Sequence, residues 1–292
     1  MPKIESILCP VDFSQFSADA YEYAQSLAVH YHAKLLLQNV RYSPRPSEGW
    51  SDAAEEVRQK YRADVEQQLK EFARYHLRTA IEPECFVQDG PVTDLILSLA
   101  ETRAVSLIVM GTHGLRGVDR LMVGSVTERV LRRAHCPVLA VRKPAHQVIT
   151  SVHDPEPVHL KKILVCSDFS DHARRASKYA LSMAKEYGAE LTLLHVLEDV
   201  REATDDLQKA TENATKQLEQ SLTQEDHEAC NVKVMVRVGK PYAQIIEFAL
   251  EAQSDMVIMG VRGRGALDTA LFGSTTYRVI QLGPCPVLAI HI

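Results

Sequence analysis

The chain says nearly the same thing twice. ILCPVDFS, Ile7 to Ser14, returns as ILVCSDFS, Ile163 to Ser170. GTHGLRGVDRLMVGS, Gly111 to Ser125, returns as GVRGRGALDTALFGS, Gly260 to Ser274. Both copies of the later segment keep one spacing: Gly, two residues, Gly, nine residues, Gly-Ser. The repeat commits the chain to two similar domains. Folding alone can carry an apolar pattern through a duplication, but it has no obvious reason to hold three glycines and a hydroxyl in register. A ligand is the first suspect.

A length of 292 residues agrees with two domains. At roughly 140 residues, each half can bury its own core. With 46% apolar and 24% charged residues, the chain reads as an ordinary globular protein. The net charge of −5 and the absence of long Lys/Arg runs argue against a nucleic-acid surface. MPKIESILCPVDF runs straight into a strand with no signal pattern. No segment approaches the apolar run of about 18 residues that would span a membrane. None of the six cysteines forms a CxxC pair. The expectation is a cytoplasmic protein with reduced thiols and no membrane partner.

The offset between copies shifts along the chain. Asp168 follows Asp12 by 156 residues, whereas Gly260 follows Gly111 by 149. The second copy therefore lacks a net seven residues between its second and third strands, where the first carries the loop-like RYSPRPSEGW. The domains are expected at 1–142 and 160–292, joined by an exposed Pro-containing linker at 143–159.

Within each copy the pattern alternates. Short apolar runs end at Asp12 and Asp168. Helical periodicities follow, the second of them stopped by Gly188. Second strands are expected at Lys34 to Val40 and Glu190 to Val196, then polar helices around Ala53 to His76 and Thr204 to Thr223. Third strands follow at Glu84 to Gln88 and Lys233 to Val238. Pro91 and Pro241 are placed just inside the first turn of the next helix. SLIVMG and DMVIMG suit central strands covered on both faces. The order βαβαβαβαβ makes each half an α/β domain with a parallel sheet and helices on both faces.

In such sheets ligands settle beyond the carboxyl ends of the strands, where strand order reverses. Pro10, Val11 and Asp12 end the first strand; Met110, Gly111, His113 and Gly114 end the fourth. Gly111 and Gly114 would let the backbone turn and bring N–H groups to a ligand. Gly124-Ser125 opens a helix whose N-terminus suits phosphate. Val126 lies in its first turn, and Ser125 and Thr127 would add hydroxyl donors. Asp12 could take ribose hydroxyls or a metal, and Val40 could wall an adenine ring. The bland alternatives are turn glycines, a loop or N-cap carboxylate at Asp12 and Asp168, and N-capping by Ser125 and Ser274. Cys136 and Cys285, each before Pro, read as small buried hydrophobes. Cys9 and Cys166 lie near the sites, which leaves a redox role open. His30, His32, His153 and His159 lack further ligands at metal spacing.

Gly111, Gly114, Gly124 and Ser125 with Asp12, and Gly260, Gly263, Gly273 and Ser274 with Asp168, resemble the ATP-binding branch of the universal stress protein family. CPVLAV and CPVLAI look like that family's last strand, so the resemblance covers nearly the whole chain. It implies two Rossmann-like domains of the adenine nucleotide alpha hydrolase-like kind, each with a five-stranded sheet of order 3-2-1-4-5. It also implies an adenine nucleotide (ATP, ADP or AMP, with or without Mg) held by the glycine loops. The second site takes Ser167, Val196, Met259, Arg262, Thr275 and Thr276 at matching positions. The family's fifth strands meet between two domains, so a tandem chain can pair its own halves, and a further homodimer stays open.

The copies differ. Ser167 stands where the first copy has Val11, and Arg262 and Arg264 face His113, Arg116 and Arg120. Equal occupancy is not expected, and the first site is expected to be the more typical. The function expected is a nucleotide-dependent stress or signalling module with an unknown protein partner. The alternatives are a slow ATPase or self-phosphorylating enzyme, for which the chain lacks GxxxxGK[ST], and a scaffold that binds something else or nothing.

Overall fold

Ile7, Leu8, Val109 and their neighbours sit in strands with no polar face, and the fold follows from that. The computed structural model describes residues 3–41, 52–113, 123–142, 159–198, 204–261 and 273–291. The first half runs β1 (Ser6–Pro10), α1 (Gln15–Tyr31), β2 (Lys34–Arg41), α2 (Asp52–Tyr75), β3 (Glu84–Asp89), α3 (Val92–Thr102), β4 (Leu107–Gly111), α4 (Ser125–Arg133) and β5 (Val138–Val141). The second runs β6 (Lys162–Cys166), α5 (Asp171–Tyr187), β7 (Glu190–Leu197), α6 (Thr204–Gln220), α7 (Gln224–Ala229), β8 (Val232–Val238), α8 (Pro241–Glu251), β9 (Met256–Gly260), α9 (Ser274–Leu282) and β10 (Val287–Ile290). One compact unit holds Lys3–Val141 and the other His159–Ile292. The segment expected as a linker lies outside the described residues except for His159.

The sheet of the first half has the order β3-β2-β1-β4-β5, parallel throughout. That of the second half has the order β8-β7-β6-β9-β10, also parallel. Both are the expected 3-2-1-4-5 arrangement. Every residue of β1 and β4 is buried. Leu8, Ile108 and Val109 are fully enclosed, as are Leu164, Val257 and Ile258 in the second half. Truncating one of these to Ala would cost roughly 2–5 kcal/mol.

Local signals set the helix ends. Ser14 caps α1 by accepting from the Ser17 N–H, and Ser170 caps α5 by accepting from the Ala173 N–H. Gly188 ends α5 at φ +62, as expected of a C-terminal glycine. His32 does the same for α1 at φ +51, a conformation that is harder for a side chain to adopt.

Two helix boundaries differ from expectation. Pro241 is the first residue of α8, but Pro91 is the N-cap of α3, one position outside it. The polar helix expected to reach Thr223 ends at Gln220. A separate short helix then starts at Thr223, whose side chain and backbone exchange hydrogen bonds with Asp226 in a capping box.

Candidate functional site

β1 is flanked by β2 on one side and β4 on the other, with Ile7 opposite Leu107 and Leu8 opposite Ile108. The chain leaves β1 toward β2 and β3 and returns to β4, so strand order reverses between β1 and β4. This topology puts a crevice at the switch point; of the loop after β4, residues 114–122 lie outside the described residues. The second half repeats it between β6 and β9, with Ile163 opposite Met256.

One wall is the Asp-Phe-Ser turn. Asp12 Oδ1 accepts from the Ser14 N–H at 3.1 Å and from its hydroxyl at 2.5 Å. In the second copy, Asp168 Oδ1 accepts from the Ser170 N–H at 3.0 Å. The turn forces Phe13 and Phe169 into the left-handed region, at φ +65 and +63. A bulky residue held there in both copies marks a locally strained segment beside the crevice. The aspartates are turn clamps, and Ser14 and Ser170 are the N-caps. Pro10 and Val11 are buried behind the turn, whereas Ser167 is half-buried and its hydroxyl accepts from the Phe169 N–H at 3.2 Å.

At the end of β4 sits the head of α4, where the Gly124 N–H donates to the Thr112 carbonyl at 2.7 Å. Gly124 is its N-cap, with no side-chain hydrogen bond to the first turn, and Gly273 heads α9 in the same way. Ser125 and Ser274 are first helical residues and exposed, so neither is the N-cap. A helix start without a side-chain cap presents its first N–H groups and the positive end of its dipole to whatever faces it. Val126 and Thr275 are half-buried in that turn.

Thr127 corrects one expectation. Its buried hydroxyl donates to the Gly111 carbonyl at 2.9 Å, and that of Thr276 donates to the Gly260 carbonyl at 3.1 Å. These hydroxyls tie the helix head to the end of the fourth strand and do not serve as donors toward the crevice.

The glycines of the motif have different physical reasons. A Cβ at Gly111 would lie 2.6 Å from the Phe16 carbonyl oxygen, and one at Gly260 would lie 2.8 Å from the His172 carbonyl carbon. Close approach of the first helix to the fourth strand demands these two. Among the described residues a Cβ at Gly124 would meet nothing nearer than 3.5 Å, and its φ of −57 suits any residue. Packing against the described residues therefore gives no reason for glycine at 124.

Met110 and Met259 are buried at the ends of β4 and β9, and Val40 and Val196 are half-buried at the ends of β2 and β7. His113 is buried, its ring 5.0 Å from that of Phe16 and its Nδ1 2.9 Å from the Thr112 hydroxyl, so it packs inward. Gly114, Arg116, Arg120, Arg262, Gly263 and Arg264 lie outside the described residues. Sequence reasoning passed over Asn39, whose Nδ2 donates to the Val11 carbonyl at 2.9 Å. Its counterpart His195 places Nδ1 2.7 Å from the Ser167 carbonyl. The signal was a polar residue at the same place in two apolar strands.

All six cysteines are free thiols. Burial pushes those of Cys9 and Cys166 far above the ordinary range, which disfavours thiolate chemistry at either crevice. Cys285 is buried as expected, but Cys136 is half-buried. Among the described residues no group of three His, Cys, Asp or Glu side chains is placed to hold a metal ion. No helix among them is long and apolar enough to cross a membrane.

A duplicated, doubly wound parallel sheet with a glycine-headed helix at each switch point makes this a two-domain α/β protein. It belongs to the universal stress protein family, whose sequence pattern matches residues 3–142 and again 159–291. The chain is 32% identical over 145 residues to a universal stress protein of Methanocaldococcus jannaschii, an alignment covering 48% of this chain and 83% of that one. It is 30% identical over 142 residues to one of Thermus aquaticus, covering 45% and 98%. The crystal structure of a universal stress protein from Archaeoglobus fulgidus matches along both halves, covering 99% of this chain and 97% of that one at 25% identity and a TM-score of 0.67. The chain is thus a tandem, two-domain member.

Proposed function

We propose that the crevices bind an adenine nucleotide, ATP or its ADP or AMP forms, and that occupancy sets how this stress protein engages its partners. The observation that carries the reading is Gly124. It heads a helix without a side-chain cap at the switch point, has ordinary backbone angles and has room for a Cβ. A glycine that neither packing nor conformation requires is explained if a phosphate approaches the helix start. The recurrence of a glycine N-cap at Gly273 and of the aspartate turn at Asp168 supports a second crevice of the same kind. The loss of Val11 in favour of Ser167 supports unequal affinities.

The test is direct. The full chain is purified and denatured, and the released small molecules are identified by mass spectrometry, with ATP titrated calorimetrically alongside. An adenine nucleotide in the released fraction, or saturable ATP binding, is the expected result. Neither would defeat the reading. Turnover above roughly 1 per second would favour an enzyme over a binding module.

A further inference from the structure

The two halves differ in side-chain chemistry next to Pro10 and Val11. Gln38 is the last β2 residue paired with β1, opposite Pro10, and its carbonyl accepts from the Val11 N–H at 2.8 Å. It is fully buried. Its Nε2 donates to the Leu95 carbonyl at 3.2 Å and to Gln88 Oε1 at 2.6 Å. A backbone carbonyl can only accept, so the amide cannot be turned round, and Oε1 is the atom left over. That oxygen has no hydrogen-bond partner among the described residues. The same holds for the hydroxyl of Thr93, 5% exposed in the first turn of α3. Asn39 repeats the logic: its Nδ2 faces the Val11 carbonyl, and its buried Oδ1 is unpartnered.

The second half keeps only the last contact, from His195 to the Ser167 carbonyl, and replaces the Gln38 cluster. Leu194, buried, replaces Gln38. Arg237 replaces Gln88, pairs with Glu251 and lies over the Phe248 ring at 4.9 Å. Tyr242 replaces Thr93 and lies under Arg278 at 4.5 Å.

Buried acceptors are costly unless something donates to them. Gln38 Oε1 demands an N–H or O–H, and the hydroxyl of Thr93, two residues before the Leu95 carbonyl that Gln38 reaches, can serve an acceptor. An amino-purine edge presents that pair, an exocyclic amine next to a ring nitrogen, whereas a 6-oxo purine puts an acceptor where the amine was. Resting on the nucleotide reading above, we infer that Gln38 and Thr93 make the first crevice discriminate 6-amino from 6-oxo purine nucleotides, and that the second crevice does not discriminate at that edge.

The probes are ATP and ITP, which differ only along that edge (6-amino beside an accepting N1 against 6-oxo beside an N1–H), titrated calorimetrically into the full chain carrying Gly273→Val so that the first crevice is read by itself. ATP is expected to bind about tenfold or more tightly than ITP. Adding Gln38→Leu, the residue found in the second half, should weaken ATP by about that factor and leave ITP unchanged. Thr93→Val is the second variant, should Gln38→Leu fail to fold, and should narrow the same ratio. Binding of both nucleotides with a ratio that neither substitution moves would overturn the inference while sparing the nucleotide reading. Binding of neither, here or in the unsubstituted chain, would instead defeat the nucleotide reading.

Discussion

The hydroxyl of Thr127 donates to the carbonyl of Gly111 at 2.9 Å, and so the head of α4 is fixed to the end of β4. The segment between them carries most of the glycine motif, and both its ends are pinned by this contact. Replacing Thr127 with Val keeps the shape but strands a buried carbonyl. A loss of about 1–3 kcal/mol of stability is expected, together with weaker ATP binding. Urea denaturation and calorimetry on the same variant check both; unchanged values in each would show that the tether is idle.

Gly111 and Gly124 should behave oppositely on substitution by Ala. At 111 the new Cβ meets backbone at 2.6 Å, which a rigid packed helix cannot relieve, so a loss of several kcal/mol is expected. At 124 the nearest atom among the described residues is 3.5 Å away, so stability should hold within about 1 kcal/mol while ATP affinity falls. Melting temperature against ATP affinity for the two variants separates them. Similar losses of stability in both would remove the argument that Gly124 serves a ligand.

Much of this was legible before the fold was known. Strands such as LIVMG, apolar from end to end, announce a central position, and Gly188 announces a helix end, because each depends on near neighbours in the chain. The parallel sheet followed from alternation, whereas the strand order was only what the family resemblance implied. What stayed hidden depends on distant partners. The reason for Gly111 is the carbonyl of Phe16, and the task of the Thr127 hydroxyl is set by a strand sixteen residues earlier. Gln38 looks like an interruption of LLLQNV until α3 is placed against it. The short helix after Gln220 was missed although Thr223 and Asp226 carry its capping pattern, because the polar run before it hid the break.

Lys185 and Asp226, 2.9 Å apart, clip that short helix to α5. Burial alone would raise the Asp226 carboxyl, but the Thr223 N–H, Lys185 and the Thr223 hydroxyl outweigh it and hold it at about 2. A carboxylate whose folded value lies below its unfolded one, about 3.9, contributes stability above that pH and loses it as pH falls toward the folded value. The contribution should therefore be full at pH 5 and fade between about pH 4 and pH 2. Comparing Asp226→Asn with the unsubstituted chain by urea denaturation at pH 5 and pH 3 should show a stability gap that narrows at the lower pH. A gap that widens would contradict the account.

Thiol reactivity should follow burial. Burial raises Cys136 to about 11 and Cys285 to about 12, and Cys9 and Cys166 are raised further still. In native protein at pH 8, a thiol reagent should label half-buried Cys85 and Cys230 first, and Cys9, Cys166 and Cys285 should react only after denaturation. Rapid native labelling of Cys9 or Cys166, mapped by mass spectrometry, would reopen a redox role beside the crevices.

The central claim, that the glycine-headed helices at the two switch points bind adenine nucleotide, rests most directly on stoichiometry. ATP is titrated calorimetrically into the full chain and into Gly124→Val, with melting curves on both. The account predicts that Gly124→Val loses one equivalent of ATP while melting within a few degrees of the unsubstituted chain. An unchanged number of equivalents in that variant, or no ATP binding by the unsubstituted chain, would contradict it.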